Sequence, residues 1–170
     1  MVNNALPAQK LTIMVNPPNP YLKILPDVCQ PPSRTDSDGS DRKIGEEALW
    51  DLQELVKIAS IDDAETVKMV TSKAVRDYEN LVENGFDLND VLAELAVKGV
   101  FKGSWWCKTS ASKDRHGKPR GVGSWIPCDA YSVTLDYEHP NTGYCGTANY
   151  YLKMCRSLDG SLVLFVSVHL

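Results

Sequence analysis

The chain has no long apolar run, and none of its 170 residues fall in a stretch of the roughly 18 consecutive apolar positions that a membrane-spanning helix needs. It has no Cys-x-x-Cys pair, no leader-like apolar segment near its start and no internal repeat. Its cysteines, Cys29, Cys107, Cys128, Cys145 and Cys155, are odd in number. Such spacing without a secretory-type start fits reduced thiols rather than a disulfide framework. The expected location is therefore cytoplasmic, with no membrane partner. Excess positive charge is also missing, since 18 basic residues face 22 acidic ones for a net −4. That balance excludes a surface that seeks polyanions everywhere. Proline is scarce beyond residue 44, because seven of the ten prolines precede it.

The charge that is present is unevenly placed. From Lys98 to Arg120 there are seven basic residues and a single acid, Asp114, so a window of +6 leaves −10 for the rest of the chain. Screening limits the opposing field to about 10 Å at ordinary salt, so a local basic lip can still capture a strand of nucleic acid. With 43% hydrophobic residues, the length suits one core and is short for two. Residues 1–44, proline-rich and ending in the polar run Ser33 to Asp41, read as a disordered or loosely docked tail. Within it, Leu11 to Val15 is a candidate docked strand. Residues 45–170 read as a single domain.

In that domain the apolar period changes once. Leu49, Leu52, Val56 and Ala59 follow helical spacing between Gly45 and Ser60, with Glu46 and Glu47 suited to a first turn. Val67 to Val70 reads as an edge strand. Thr71 or Ser72 caps a second helix that turns Ala74, Val75, Tyr78, Leu81 and Val82 inward and stops at Asn84-Gly85. A third helix starts near Asp87 with Val91, Leu92, Leu95 and Ala96 inward. Beyond Gly99 the period becomes two, which predicts strands over 100–107, 123–135, 147–156 and 162–169. Short connections make these antiparallel. The expected class is α+β: about three helices packed on an antiparallel sheet of four to six strands.

The strand-rich half carries the chemistry. RNA cleavage without metal needs a base near the 2′-hydroxyl, a cation facing the phosphorane and an acid for the departing oxygen. His169 can do either proton task near neutral pH. Alternation separates Tyr151, Lys153 and Cys155 from Tyr150, Leu152 and Met154. In the last strand it groups Leu164, Val166 and Val168 against Phe165, Ser167 and His169. If the first trio faces the helices, His169 looks outward. Lys102 precedes Trp105 and Trp106, which pack in a core by default and otherwise offer stacking surfaces. Cys107, His116, Cys128, His139 and Cys145 are able to bind zinc, yet their spacing matches no ordinary ligand set. No metal and no cofactor are expected.

The motif order resembles the motility quorum-sensing regulator (MqsR) toxins, ribonucleases of bacterial toxin-antitoxin systems with a RelE-like layout. The likeness lies in Thr71-Ser72-Lys73-Ala74 followed by Gly85 to Val91, in Val100-Phe101-Lys102, and in Tyr151 to Met154 followed by Leu164 to His169. It implies a metal-independent endoribonuclease, of the mRNA interferase type, acting in stress responses. Such an enzyme cleaves single-stranded RNA to leave a 2′,3′-cyclic phosphate and is neutralised by a cognate protein antitoxin. Carried onto this chain, Lys102 and Tyr151 serve the scissile phosphate. His169 stands where the family ends with lysine, and Cys128 stands in place of a glutamine. The expected catalytic set is Lys102, Tyr151 and His169, with Lys108, Tyr131 and Lys153 holding RNA. The acidic stretch of Asp87, Asp90 and Glu94 is a second surface for partners. The two departures favour an alternative, a catalytically silent RNA- or protein-binding module on the same fold.

Overall fold

The computed structural model describes residues 19–32, 40–60, 66–109, 112–113, 119–120, 123–138, 143, 145–161 and 163–169. Among them are three α-helices, α1 (Leu52–Ala59), α2 (Ser72–Glu83) and α3 (Leu88–Lys98). The strands are β1 (Lys43–Gly45), β2 (Val67–Met69), β3 (Val100–Lys108), β4 (Ser112–Lys113), β5 (Pro119–Arg120), β6 (Trp125–Glu138), β7 (Cys145–Arg156) and β8 (Val163–His169). Six of them form one sheet in the order β1-β3-β6-β7-β8-β2, while β4 and β5 make a small separate ribbon. The α+β class is as expected. The sheet is mixed rather than wholly antiparallel, because β2 runs parallel to β8. The chain between them is long enough to supply the crossover that a parallel pair requires.

The inner face of the sheet carries the main core. Val133, Tyr150, Leu152 and Phe165 meet Leu55, Leu92 and Leu95 of the helices there. Helix α3 buries Val91, Leu92 and Leu95, as its spacing predicts, and Asp87 caps it by accepting from Asn89 N at 2.8 Å. Helix α2 begins as read, with Thr71 Oγ1 accepting from Ala74 N at 2.9 Å, and it ends at Gly85, whose φ of +80° suits glycine. Its inward face agrees with the expected one at Ala74 and Leu81 and differs at Val75, Tyr78 and Val82. Ala74, Asp77 and Leu81 face inward, and Val75, Tyr78 and Val82 lie exposed along the other side. Buried Asp77 pairs with Lys73, whose ammonium also reaches Ser167 Oγ of β8 at 3.4 Å, so a polar contact sets this face.

Two boundaries move. The spacing starts the first helix at Gly45, but α1 begins at Leu52, where Asp51 caps it by accepting from Glu54 N at 2.8 Å. The chain ahead of it cannot coil, because Leu49 N and Trp50 N both donate to the carboxylate of Asp129 on β6, each at 2.9 Å from Oδ2. The other boundary is that of the tail. Lys43 already pairs with Trp105 in the sheet, and residues 19–32 dock upon it with Tyr21 only 4% exposed. Tyr21 sits over Cys107, Ile126, Cys128 and Cys155 on the outer face, and Trp106 Nε1 donates to Cys29 O at 3.1 Å. The structured chain thus begins well before residue 45. Leu11 to Val15 lies outside the described residues. Among the described residues no helix is long and apolar enough to cross a membrane.

Asp129 is fully buried, and Ser104 Oγ of β3 completes its shell at 2.5 Å. Replacing Asp129 with Ala leaves two backbone donors without an acceptor in a dry site. Urea unfolding is expected to show a loss of about 2–4 kcal/mol. Burial raises the Asp129 pKa despite the opposing hydrogen bonds from Ser104, Leu49 and Trp50. A carboxyl held above its unfolded value adds stability below the ordinary carboxylate range and gives it up as pH rises through the raised value. Relative to Asp129→Asn, the wild type is therefore expected to gain stability as pH falls from neutral through that range, measured by urea midpoints at several pH values.

Candidate nucleic-acid interface

The outer face of the sheet is built by the period of two. On β7, Tyr150, Leu152 and Met154 are buried against the helices, which leaves Tyr151 and Lys153 on the other side. Cross-strand register then makes rows. Ser132, Tyr151 and His169 are consecutive partners across β6, β7 and β8, and Ala130, Lys153 and Ser167 form the next row. On β3, Gly103 is the partner of Ala130 and Trp105 of Cys128. Because Gly103 and Ala130 are small, nothing stands between Lys153 and the indole of Trp105 across the intervening strand. Lys153 Nζ lies 5.4 Å from the Trp105 ring centroid and 5.7 Å from that of Tyr151.

From the opposite side Lys43 Nζ comes within 5.8 Å of the same indole centroid. Lys43 also pairs with Glu46 in an exposed contact, which contributes little. Each cation–π approach at such a site is worth about 0.5–1 kcal/mol. The Trp105 ring is fixed from below as well. Gly103 has φ of +111°, and a Cβ there would lie 3.2 Å from Trp105 Nε1. That nitrogen is buried and has no hydrogen-bond partner among the described residues.

The site residues expected from sequence distribute unevenly. Tyr151 and Lys153 share the outer face as predicted. Burial raises the Tyr151 pKa, with the nearby Cys107 thiol adding to the shift, so the phenol is neutral and can donate. His169 is the Cα partner of Tyr151 on β8, and its side chain lies outside the described residues. Lys102 is exposed at a register irregularity between Phe101 and Gly103, two strands from Tyr151 and so about 10 Å away across the ladder. Tyr131 does not join them. It is 3% exposed on the inner face, its ring 5.5 Å from Phe101, and burial with the charges of Asp129 and Asp51 raises its pKa. Its alternation matches Val133 and Leu135, so it serves the core. Lys108 lies 6.0 Å from the Trp125 ring, which Arg42 also approaches at 5.2 Å. Alternation with Cys107 and Ile126 puts Lys108 and Trp125 on the side of the ribbon away from Trp105.

The last strand also departs from simple alternation. A shift in register between Lys153 and Met154 brings both Phe165 and Val168 into the inner core and turns Leu164 toward the outer cluster. The expected trio of Leu164, Val166 and Val168 is therefore split. Lys43 is the contributor that sequence spacing did not place in the site, whereas Trp105 was already a candidate stacking surface. Lys43 fell in the assigned tail, and only the strand pairing of β1 with β3 brings it forward.

Two other groups are chemically able but differently placed. Cys107, Cys128 and Cys155 cluster under Tyr21 as small hydrophobes, and the Cys128 thiol donates to Ile126 O at 3.8 Å. Among the described residues no set of three His, Cys, Asp or Glu side chains could hold a metal ion. His116 and His139 lie outside the described residues. At the far end of β6, Asp90, Glu94, Asp136 and Glu138 line a cavity of about 490 Å³. Its carboxylates make that end of the sheet unfavourable for a phosphate chain. A scan against protein-family models finds no match, and comparison with curated proteins and with solved structures finds none either.

Gly103→Ala would force a side chain into a positive-φ position beneath the indole. The expected result is a loss of about 1–3 kcal/mol in urea unfolding, together with greater acrylamide quenching of tryptophan fluorescence as Trp105 is displaced outward.

Proposed function

We propose that the outer face of the sheet binds single-stranded RNA and cleaves it without metal, as an endoribonuclease toxin acting on mRNA in the cytoplasm. The observation that carries this reading is the grouping of Lys153 over the Tyr151 ring while Tyr151 pairs in register with His169. A cation, a neutral phenol and a residue able to exchange protons near neutral pH are thus close in the fold. In the proposed reaction His169 removes the proton of the 2′-hydroxyl, whose oxygen attacks the adjacent phosphorus. The phosphorane charge faces Lys153, and Tyr151 gives its proton to the leaving 5′-oxygen and is reprotonated by the imidazolium of His169. A 2′,3′-cyclic phosphate and a free 5′-hydroxyl result. Lys102, two strands away, holds a neighbouring phosphate. The resemblance to the MqsR toxins adds a protein antitoxin that covers this face.

A second reading, an RNA-binding module without catalysis, is favoured by one observation. Lys102 is too far across the sheet to share a phosphate with Tyr151 unless its side chain reaches over β6. Purified protein is incubated with a single-stranded RNA oligomer in excess chelator and the ends of the products are analysed. Wild type is expected to yield cyclic-phosphate ends, and His169→Ala and Tyr151→Phe to slow cleavage by about 100-fold or more with folding intact. Lys153→Ala should be slower by a similar factor and Lys102→Ala by less. RNA that stays whole yet is retained on a filter with the wild type decides for the module.

A further inference from the structure

We infer that Trp105 is a nucleobase-stacking subsite, with Lys43 and Lys153 placed to hold the phosphates on either side of the stacked nucleotide. The inference rests on the RNA reading above and names the part of the substrate that this face selects, an unpaired base beside the scissile link.

Four tryptophans are present; Trp106 is buried, and Trp50, Trp105 and Trp125 are half-buried. Trp106 is 1% exposed and hydrogen-bonded to Cys29 O, and Trp50 Nε1 donates to Pro127 O at 3.4 Å. Trp105 is different. Like Trp50 and Trp125 it is half-buried, but it alone of the four has a buried Nε1 without a hydrogen-bond partner among the described residues, held over Gly103, so what it exposes is ring carbon. Burying the one polar atom of an indole while leaving its hydrocarbon partly open is costly for a ring that serves packing alone. It suits a ring whose exposed part meets another flat surface.

The neighbours fit a nucleotide in particular. Lys43 comes from β1 and Lys153 from β7, so the two ammonium groups approach the ring from strands on either side of β3. Lys153 makes no ion pair with any described residue, and the Lys43 pair with Glu46 is exposed, so both are available to anions. A base that stacks on the indole displaces at most one ammonium from it, and that ammonium then meets a phosphate. Every base has a stacking face, so the subsite accepts any of them, but a base inside a duplex has none to give. The expected substrate is therefore single-stranded or looped RNA with one nucleotide unstacked.

The test uses the full-length protein and a labelled RNA of about ten nucleotides, 2′-O-methylated throughout so that it cannot be cleaved, with affinity read by fluorescence anisotropy at low salt. Trp105→Ala is expected to weaken binding about 10-fold, and Trp105→Phe, which keeps a ring, to weaken it much less. A single abasic position is then walked along the oligomer. One position should cost the wild type a similar factor and cost Trp105→Ala almost nothing further. This second comparison stands even if the alanine variant folds poorly, because the walk on the wild type and on Trp105→Phe carries it. Equal affinity of wild type and a folded Trp105→Ala, with binding lost in Lys153→Ala, overturns the stacking subsite and leaves the RNA reading intact. A walk without any sensitive position also overturns it. Failure of the wild type to hold the oligomer at all overturns both.

Discussion

The carboxylate of Asp129 is the contact on which the arrangement depends. It is fully buried on β6, it accepts from Leu49 N and Trp50 N, and it meets the hydroxyl of Ser104 on β3. A buried anion is tolerated only when donors replace its water. Here the donors come from two separate stretches of chain and the acceptor from a third, so satisfying one group fixes all of them. The residues before α1 are drawn onto the sheet, α1 is started at Asp51, and β3 is held in register beside β6. That register puts Gly103 next to Ala130 and opens the gap through which Lys153 reaches Trp105. A charge on the inner face thus sets the spacing of cations and rings on the outer one.

Much of this was legible in the residues and some was not. The change from a helical period to a period of two after Gly99 gave the boundary between helices and main sheet, and the alternation in β7 separated Tyr151 and Lys153 from the core correctly. Capping chemistry located the starts of α2 and α3, because Thr71 and Asp87 act on their own local backbone. Readings failed where a distant partner decides. The face of α2 follows the Lys73 and Asp77 pair beneath β8 rather than the stripe of Val75, Tyr78 and Val82. In β8 a single register shift undoes the alternation and splits Leu164 from Val168. Tyr131 was grouped with RNA contacts through the family resemblance, although its own strand pattern places it with Val133 in the core.

The proline-rich tail was read as disordered or loosely docked, and residues 19–32 are docked, since proline restricts the backbone and lowers the entropy lost on docking. Pro20 opens the short 3-10 turn that carries Tyr21, with Asn19 accepting from Tyr21 N at 3.0 Å. The phenol then reaches Arg156 O at 3.3 Å and shields the thiols beneath it. One half of the outer face is dry as a consequence, and the polar half that remains is narrow. The thiols fit this role. Cys107 and Cys128 sit diagonally on neighbouring strands, where α-carbons stand about 7–8 Å apart, beyond the usual reach of a disulfide.

Both margins of the sheet are closed by three-residue strands, β1 on one side and β2 on the other. A longer margin would present a row of open amides and carbonyls to any other copy passing by. Here each of these margin strands offers an incoming segment at most three residues of ladder, which weakens edge-to-edge pairing with another copy along β1 and β2.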